Sequence, residues 1–155
     1  MTRTLVTINA ETGERVERPY TPEEEAAADA LAAASVNGAS VNAERDRRMA
    51  SFSFQGHDYD CRAETGSLAN ITGAGALAIA AIMAGKQAGD LRWADPAADF
   101  TWLANDNAVV PMDAPTTLAF AAAAATHRRR MIYAARALKD ASPIPADYTA
   151  ESYWA

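Results

Sequence analysis

Two histidines and a single cysteine are all that this 155-residue chain has for imidazole or thiol chemistry. One Cys excludes an intramolecular disulfide and any Cys-rich zinc site. Basic residues are short too: 14 Lys and Arg against 20 Asp and Glu give a net charge of −6 and a pI near 4.8. That balance argues against a general nucleic-acid binder, which needs a positive footprint for phosphates. Long apolar runs are lacking as well. The most apolar stretch, Leu68 to Gly85, is broken by Asn70, Thr72, Gly73 and Gly75 and only just reaches a spanning length. It reads as a buried helix, with no membrane insertion expected. The first ten residues are too polar for a signal-peptide core, so Asn70-Ile71-Thr72 carries no weight as a glycosylation site. We expect a soluble protein made in a cytoplasm.

What is present is alanine, about a quarter of all residues, within a chain that is 50% hydrophobic. A chain of this length fits one domain with appendages and buries roughly 68–70% of its unfolded surface. The alanine excess favours helices packed at short range. The expected fold is mainly α with one or two small β-hairpins (α+β). It divides into an arm and capped Ala-rich helix over 1–40, a body over 41–141 and an extended aromatic tail over 142–155.

Thr4 to Ile8 and Arg15 to Tyr20 read as short extended pieces around a turn at Glu11–Glu14. Thr21-Pro22-Glu23-Glu24 then gives a capping box with Pro at the first helical position. That helix should end near Ser35 and stop at Asn37-Gly38. It has few large apolar residues, Leu31 among them, so it needs another surface to lean on. A second helix should begin near Val41 or Asn42. Phe52, Phe54, Tyr59 and Cys61 alternate around Gly56 as a hairpin with one aromatic face. Ser67 is the expected cap of a third helix that Gly85 closes. A second hairpin pairs Phe100–Leu103 with Ala108–Met112. Asp113 caps the longest helix, which runs to about Ala141 and carries Phe120, Ala124, His127, Met131, Ala134, Leu138 and Ala141 as a coiled-coil-like seam.

The residues that carry chemistry do not assemble into a motif. His57 lies in a hairpin turn beside Asp58 and Asp60, where a solvated His is the preferred reading over a metal or acid–base site. His127 falls on an apolar seam, as a core or interface His. Cys61 alternates inward, as a buried inert thiol. The acids between Asp90 and Asp113 lack the ligand spacing of a calcium loop. Gly73-Ala74-Gly75 lacks a phosphate-loop context. No catalytic, cofactor-binding or metal-ligating residue is assigned. Arg128-Arg129-Arg130 cannot share one helix face. The segment from Thr126 to Asp140 carries +4, whereas 1–29 and 90–114 each carry −4. The simplest account is complementarity within or between chains; nucleic-acid contact from this helix alone would show itself as steep salt dependence.

Asn42-Ala43-Glu44-Arg45-Asp46-Arg47-Arg48, Phe52-Ser53-Phe54-Gln55-Gly56, Tyr59-Asp60-Cys61 and Asn70-Ile71-Thr72-Gly73-Ala74 resemble a phage-encoded domain of unknown function. So do Trp102, Asp106-Asn107, Val109 to Ala114, His127 and Ala135 to Ala141. The resemblance covers about Val41 to Ala141. It is to a domain found in tail-fibre, tail-tip and tail-fibre-assembly-like proteins of tailed bacteriophages and prophages, and it brings no catalytic residues. It implies a non-enzymatic structural component of a phage tail, near the fibre or baseplate. The partners would be other copies of the chain and tail proteins, and the location would be the virion tail. The alternatives are an assembly chaperone absent from the virion and, more remotely, an envelope-degrading enzyme. On this reading Trp93, Trp102, Arg128, Arg129, Tyr153 and Trp154 are the candidate interface residues, Trp93 and Trp102 having plain core packing as the rival account.

Overall fold

A computed structural model of the chain describes residues 3–155 and, within the first helix, the side chains of residues 22–31. Among the described residues there are four α-helices and three two-stranded antiparallel sheets, an α+β arrangement as expected. In chain order they are β1 (Thr4–Ile8), β2 (Arg15–Pro19), α1 (Pro22–Ser35), α2 (Gly38–Met49), β3 (Ser51–Phe54) and β4 (His57–Asp60). There follow α3 (Ser67–Met83), β5 (Thr101–Leu103), β6 (Val109–Pro111) and α4 (Ala114–Asp140). None of these helices is long and apolar enough to cross a membrane.

Local chemistry accounts for most of the element ends. Thr21 Oγ1 accepts from Glu24 N at 3.3 Å and Glu24 Oε2 accepts from Thr21 N at 2.9 Å, the reciprocal box that starts α1. Asn37 was expected to stop α1; it instead caps α2, its Oδ1 accepting from Ala39 N and Ser40 N at 2.9 and 3.2 Å. Asn suits either end of a helix, and a free N–H pair just downstream decides for the N-cap. The body therefore opens at Gly38, and the expected boundary at 41 cuts a helix. Ser67 is likewise not the cap of α3. Gly66 takes that position at φ 79°, while Ser67 Oγ donates to Asp60 Oδ2 at 2.7 Å. Asp113 does cap α4, its Oδ1 accepting from Thr116 N at 2.8 Å.

The seam along α4 is buried, but against the chain itself. Phe120, Ala124, Met131 and Leu138 are buried, His127 and Ala134 half-buried, and Ala141 lies beyond the helix and exposed. Phe120 packs with Phe52, Phe54, Tyr59 and Trp102 at ring-centroid distances of 5.2, 5.5, 4.8 and 5.2 Å. Both body hairpins thus press on one side chain. Further along, Met131, Ala135 and Leu138 pack with Val41, Met49 and Trp154. The tail expected to be extended folds back, with a 3-10 turn over Glu151–Tyr153 and Trp154 at 1% exposure.

Helices α3 and α4 approach closely because their facing residues are small. A Cβ on Gly75 would sit 2.6 Å from the Ala121 Cβ. Gly75→Ala gains helix propensity of about 1 kcal/mol but forces the helices apart, at about 1–3 kcal/mol. We expect a lower urea midpoint for Gly75→Ala and its recovery in the Gly75→Ala/Ala121→Gly double variant. Tyr59 is fully buried with no hydrogen-bond partner for its hydroxyl among the described residues, and burial pushes its pKa up. Tyr59→Phe should therefore leave stability unchanged or raise it by up to about 1–3 kcal/mol in chemical denaturation.

Candidate functional site

Strand register shapes a sizeable hollow in the body. Phe52 pairs with Tyr59 and Phe54 with His57, placing those rings on the face that meets Phe120. Ser51 pairs with Asp60 and Ser53 with Asp58, and these point to the other face. A two-residue turn at Gln55-Gly56, with φ 49° and 84°, closes the hairpin, and these positive angles suit the twist of the strands. Beside it α4 presents Ala119, Ala122, Ala123, Thr126, His127 and Arg130. The cleft between them has a volume of about 680 Å3. It continues into a hollow of about 590 Å3 bordered by Arg47, Arg48, Glu151 and Trp154.

Charge in the cleft is distributed unevenly. Ser53 Oγ donates to Asp58 Oδ1, and Asn105 Nδ2 donates to Ser51 Oγ at 3.0 Å. His127 Nε2 lies 2.8 Å from the Arg48 carbonyl oxygen, which can only accept, so Nε2 carries the proton. Arg48 is the most engaged cation. It binds Glu44 at 2.6 Å, Glu151 at 2.8 Å and the Thr149 carbonyl at 2.8 Å, and its guanidinium lies 5.1 Å from the Trp154 ring centroid. Glu44 is buried and also accepts from Arg47 at 2.7 and 2.8 Å. The Arg47 hydrogen bond is the largest cause holding its carboxyl below the usual range. Arg129 and Arg130, by contrast, make no ion pair among the described residues and are exposed.

The expected interface residues do not form one surface. Trp93 and Trp154 are corrected: at 7% and 1% exposure they belong to the core, donating to the Met112 carbonyl at 2.9 Å and the Tyr148 carbonyl at 2.7 Å. A Trp whose N–H finds a backbone acceptor can be fully buried, and sequence alone does not reveal that acceptor. Trp102 is half-buried against Phe120. Arg128 is half-buried and donates to the Cys61 carbonyl at 3.1 Å, while Arg129 and Tyr153 are exposed. Among the described residues, the basic helix makes no ion pair with the acidic segments 1–29 and 90–114. Arg3 and Arg18 pair with Glu25, Asp29 and Glu24 inside the N-terminal unit.

The other candidates have local roles. Cys61 is fully buried, which pushes its thiol pKa up. His57 is 4.0 Å from Asp106 and stacks edge-on with Tyr59. Asp90, Asp95, Asp106 and Asp113 each accept a backbone N–H from their own loop or a helix start. Among the described residues, no three His, Cys, Asp or Glu side chains gather to hold a metal ion. Sequence reasoning missed the Glu44–Arg48–Glu151 link. Its local half, Glu44 to Arg48 at i, i+4, was readable as a helix pair; Glu151 lies about a hundred residues away.

A family model described as "Domain of unknown function (DUF4376)" matches residues 28–153, so the chain belongs to that family. Neither the search of curated proteins nor the search of solved structures returned a match. The family match takes in α2, the cleft and the tail that Arg48 ties down.

Glu44 carries a depressed pKa, so its contribution is complete above the ordinary glutamate value and is lost as pH falls through the lower folded value. Glu44→Gln removes the charge from these hydrogen bonds and should cost about 1.5–3 kcal/mol near neutral pH. The difference from the wild type should start to shrink as pH falls below the ordinary glutamate value and vanish below the lower folded value, where Glu44 is itself neutralised. Trp fluorescence in denaturant at a series of pH values measures both effects.

Proposed function

We propose that this chain is a non-enzymatic structural component of a bacteriophage tail, in the fibre or baseplate region, that works by contact with other protein chains. The observation that carries the contact reading is the N-terminal unit. None of the described side chains over residues 3–31 is buried, and their ion pairs among the described residues stay within that segment. A hairpin and an Ala-rich helix with so little to bury are marginal alone. A surface on another chain supplies what they lack. The outer face of α3 supports the same reading: α3 contains no charged residue, and Leu77 and Met83 are 63% and 83% exposed.

The tail setting rests on the resemblance of the Phe52–Gly56 hairpin and the final helix to domains of tail-fibre and tail-tip proteins. On this reading the chain is made in the host cytoplasm and ends in the virion tail. Mass spectrometry of purified virions from the phage or prophage that encodes the chain should detect it in stoichiometric amount with tail proteins. Its absence from particles, while abundant in the lysate, would refute the virion placement.

A further inference from the structure

We propose that α1 of one copy docks in the cleft between α4 and the β3–β4 hairpin of a second copy, antiparallel to α4, with Glu23 on Arg130. This rests on the contact part of the proposed function and is independent of the tail setting.

Charge, shape and register point the same way. The face of α1 turned to its own hairpin carries Glu24, Ala27, Ala28 and Leu31, next to Leu5 and Tyr20. At 3.6 residues per turn Glu23, Ala26 and Ala30 share a second stripe on the flank of α1, next to the far side that Asp29 occupies with Arg3 at 2.6 Å. Glu23 has no ion pair among the described residues, whereas Glu24 is held by Arg18 at 2.6 Å and Glu25 by Arg3 at 2.9 Å. That stripe is acidic at its start and otherwise small. The wall of the cleft on α4 is its complement: Ala122, Ala123 and Thr126, then Arg130 with no ion pair among the described residues. Alanines on both helices let their axes approach to about 8 Å. Seven residues separate Glu23 from Ala30 and seven separate Ala123 from Arg130, so an antiparallel pair sets Glu23 on Arg130 and Ala30 beside Ala123. The opposed helices also place their dipoles favourably. Beyond these contacts, residues 1–29 carry −4 and Thr126 to Asp140 carries +4, which favours approach in this orientation.

Chain length works against this pose within a single copy. Gly38 lies against Lys139, its nearest side-chain carbon 3.6 Å from where a Cβ would be. From Lys139 back to Ala123 is about 24 Å along α4 at 1.5 Å per residue. From Gly38 back to Ala30 the chain reaches only about 18 Å, five residues being helical and three extended. The α1 that fits the cleft in this orientation is that of another molecule.

Two full-length variants, each with one new cysteine, test this: Ala30→Cys and Ala122→Cys. The native Cys61 is fully buried and stays out of the chemistry. Mixed under mild oxidation, the two variants should give a disulfide-linked dimer on a non-reducing gel, at a yield well above that of either alone. Adding Arg130→Glu to the Ala122→Cys chain should cut the cross-linking rate about tenfold, because the charge reversal replaces an attraction with a repulsion. Adding Glu23→Arg to the other chain should restore it. No cross-link from the mixture overturns the proposal, and so does a cross-link insensitive to Arg130→Glu. A chain missing from virions that cross-links in this way loses the tail placement and keeps the docking. A chain present in virions that fails to cross-link does the reverse.

Discussion

The body depends on one buried ring. Phe120 is fully buried on α4 and meets Phe52, Phe54, Tyr59 and Trp102, so two hairpins that share no strand are held by the same side chain. A two-stranded hairpin is barely stable in water, and each of these has three or four residues per strand. Neither could stand without a covered face. Because Phe120 sits two turns into a helix whose other faces hold α3 and, further along, α2, the hairpins are fixed relative to the whole body. The cleft inherits its geometry from that arrangement. Its Ser51, Ser53 and Asp58 wall is the reverse side of the sheet that Phe120 grips.

Small residues complement the ring. Gly75 against Ala121 sets the α3–α4 separation, and alanine on the exposed side of α4 leaves the cleft floor low. The composition that makes these helices form readily also denies them large apolar contacts. Stability is then concentrated in a few aromatic and long aliphatic side chains, with Arg48 joining α2 to the C-terminal segment as a polar counterpart. Two of the partners of half-buried Arg48, the Glu151 carboxylate and the Thr149 carbonyl, are supplied by the tail. The last residues are therefore part of the domain, consistent with a family match that extends to residue 153.

Much of this was legible from residue order. The capping box at Thr21–Glu24, the Asp113 cap, the turn at Gly56 and the α4 periodicity each have a local physical cause, and each of these elements is where local rules put it. The failures share a different origin. Whether Asn37 ends one helix or starts the next depends on a competition between two ends. Whether Trp154 is an anchor or core depends on an acceptor at Tyr148 and a cation at Arg48 that only tertiary folding brings together. The cleft was not legible either, because its two walls lie about seventy residues apart and neither is a motif.

The distribution of unpaired charge follows from these same constraints. Arg3 and Arg18 are consumed by the acids of the N-terminal unit, and Arg47 and Arg48 by Glu44 and Glu151. Arg136 pairs with Asp140 one turn on. What is left exposed on α4 is Arg129 and Arg130, at the point where the helix leaves the shelter of the hairpin. Surface ion pairs are individually worth little in stability, so nothing in folding requires these two to be neutralised. Their value lies in selecting which surface can approach. In an acidic chain with few spare cations, such a site favours an acidic surface over a neutral one and discourages approach by another basic face.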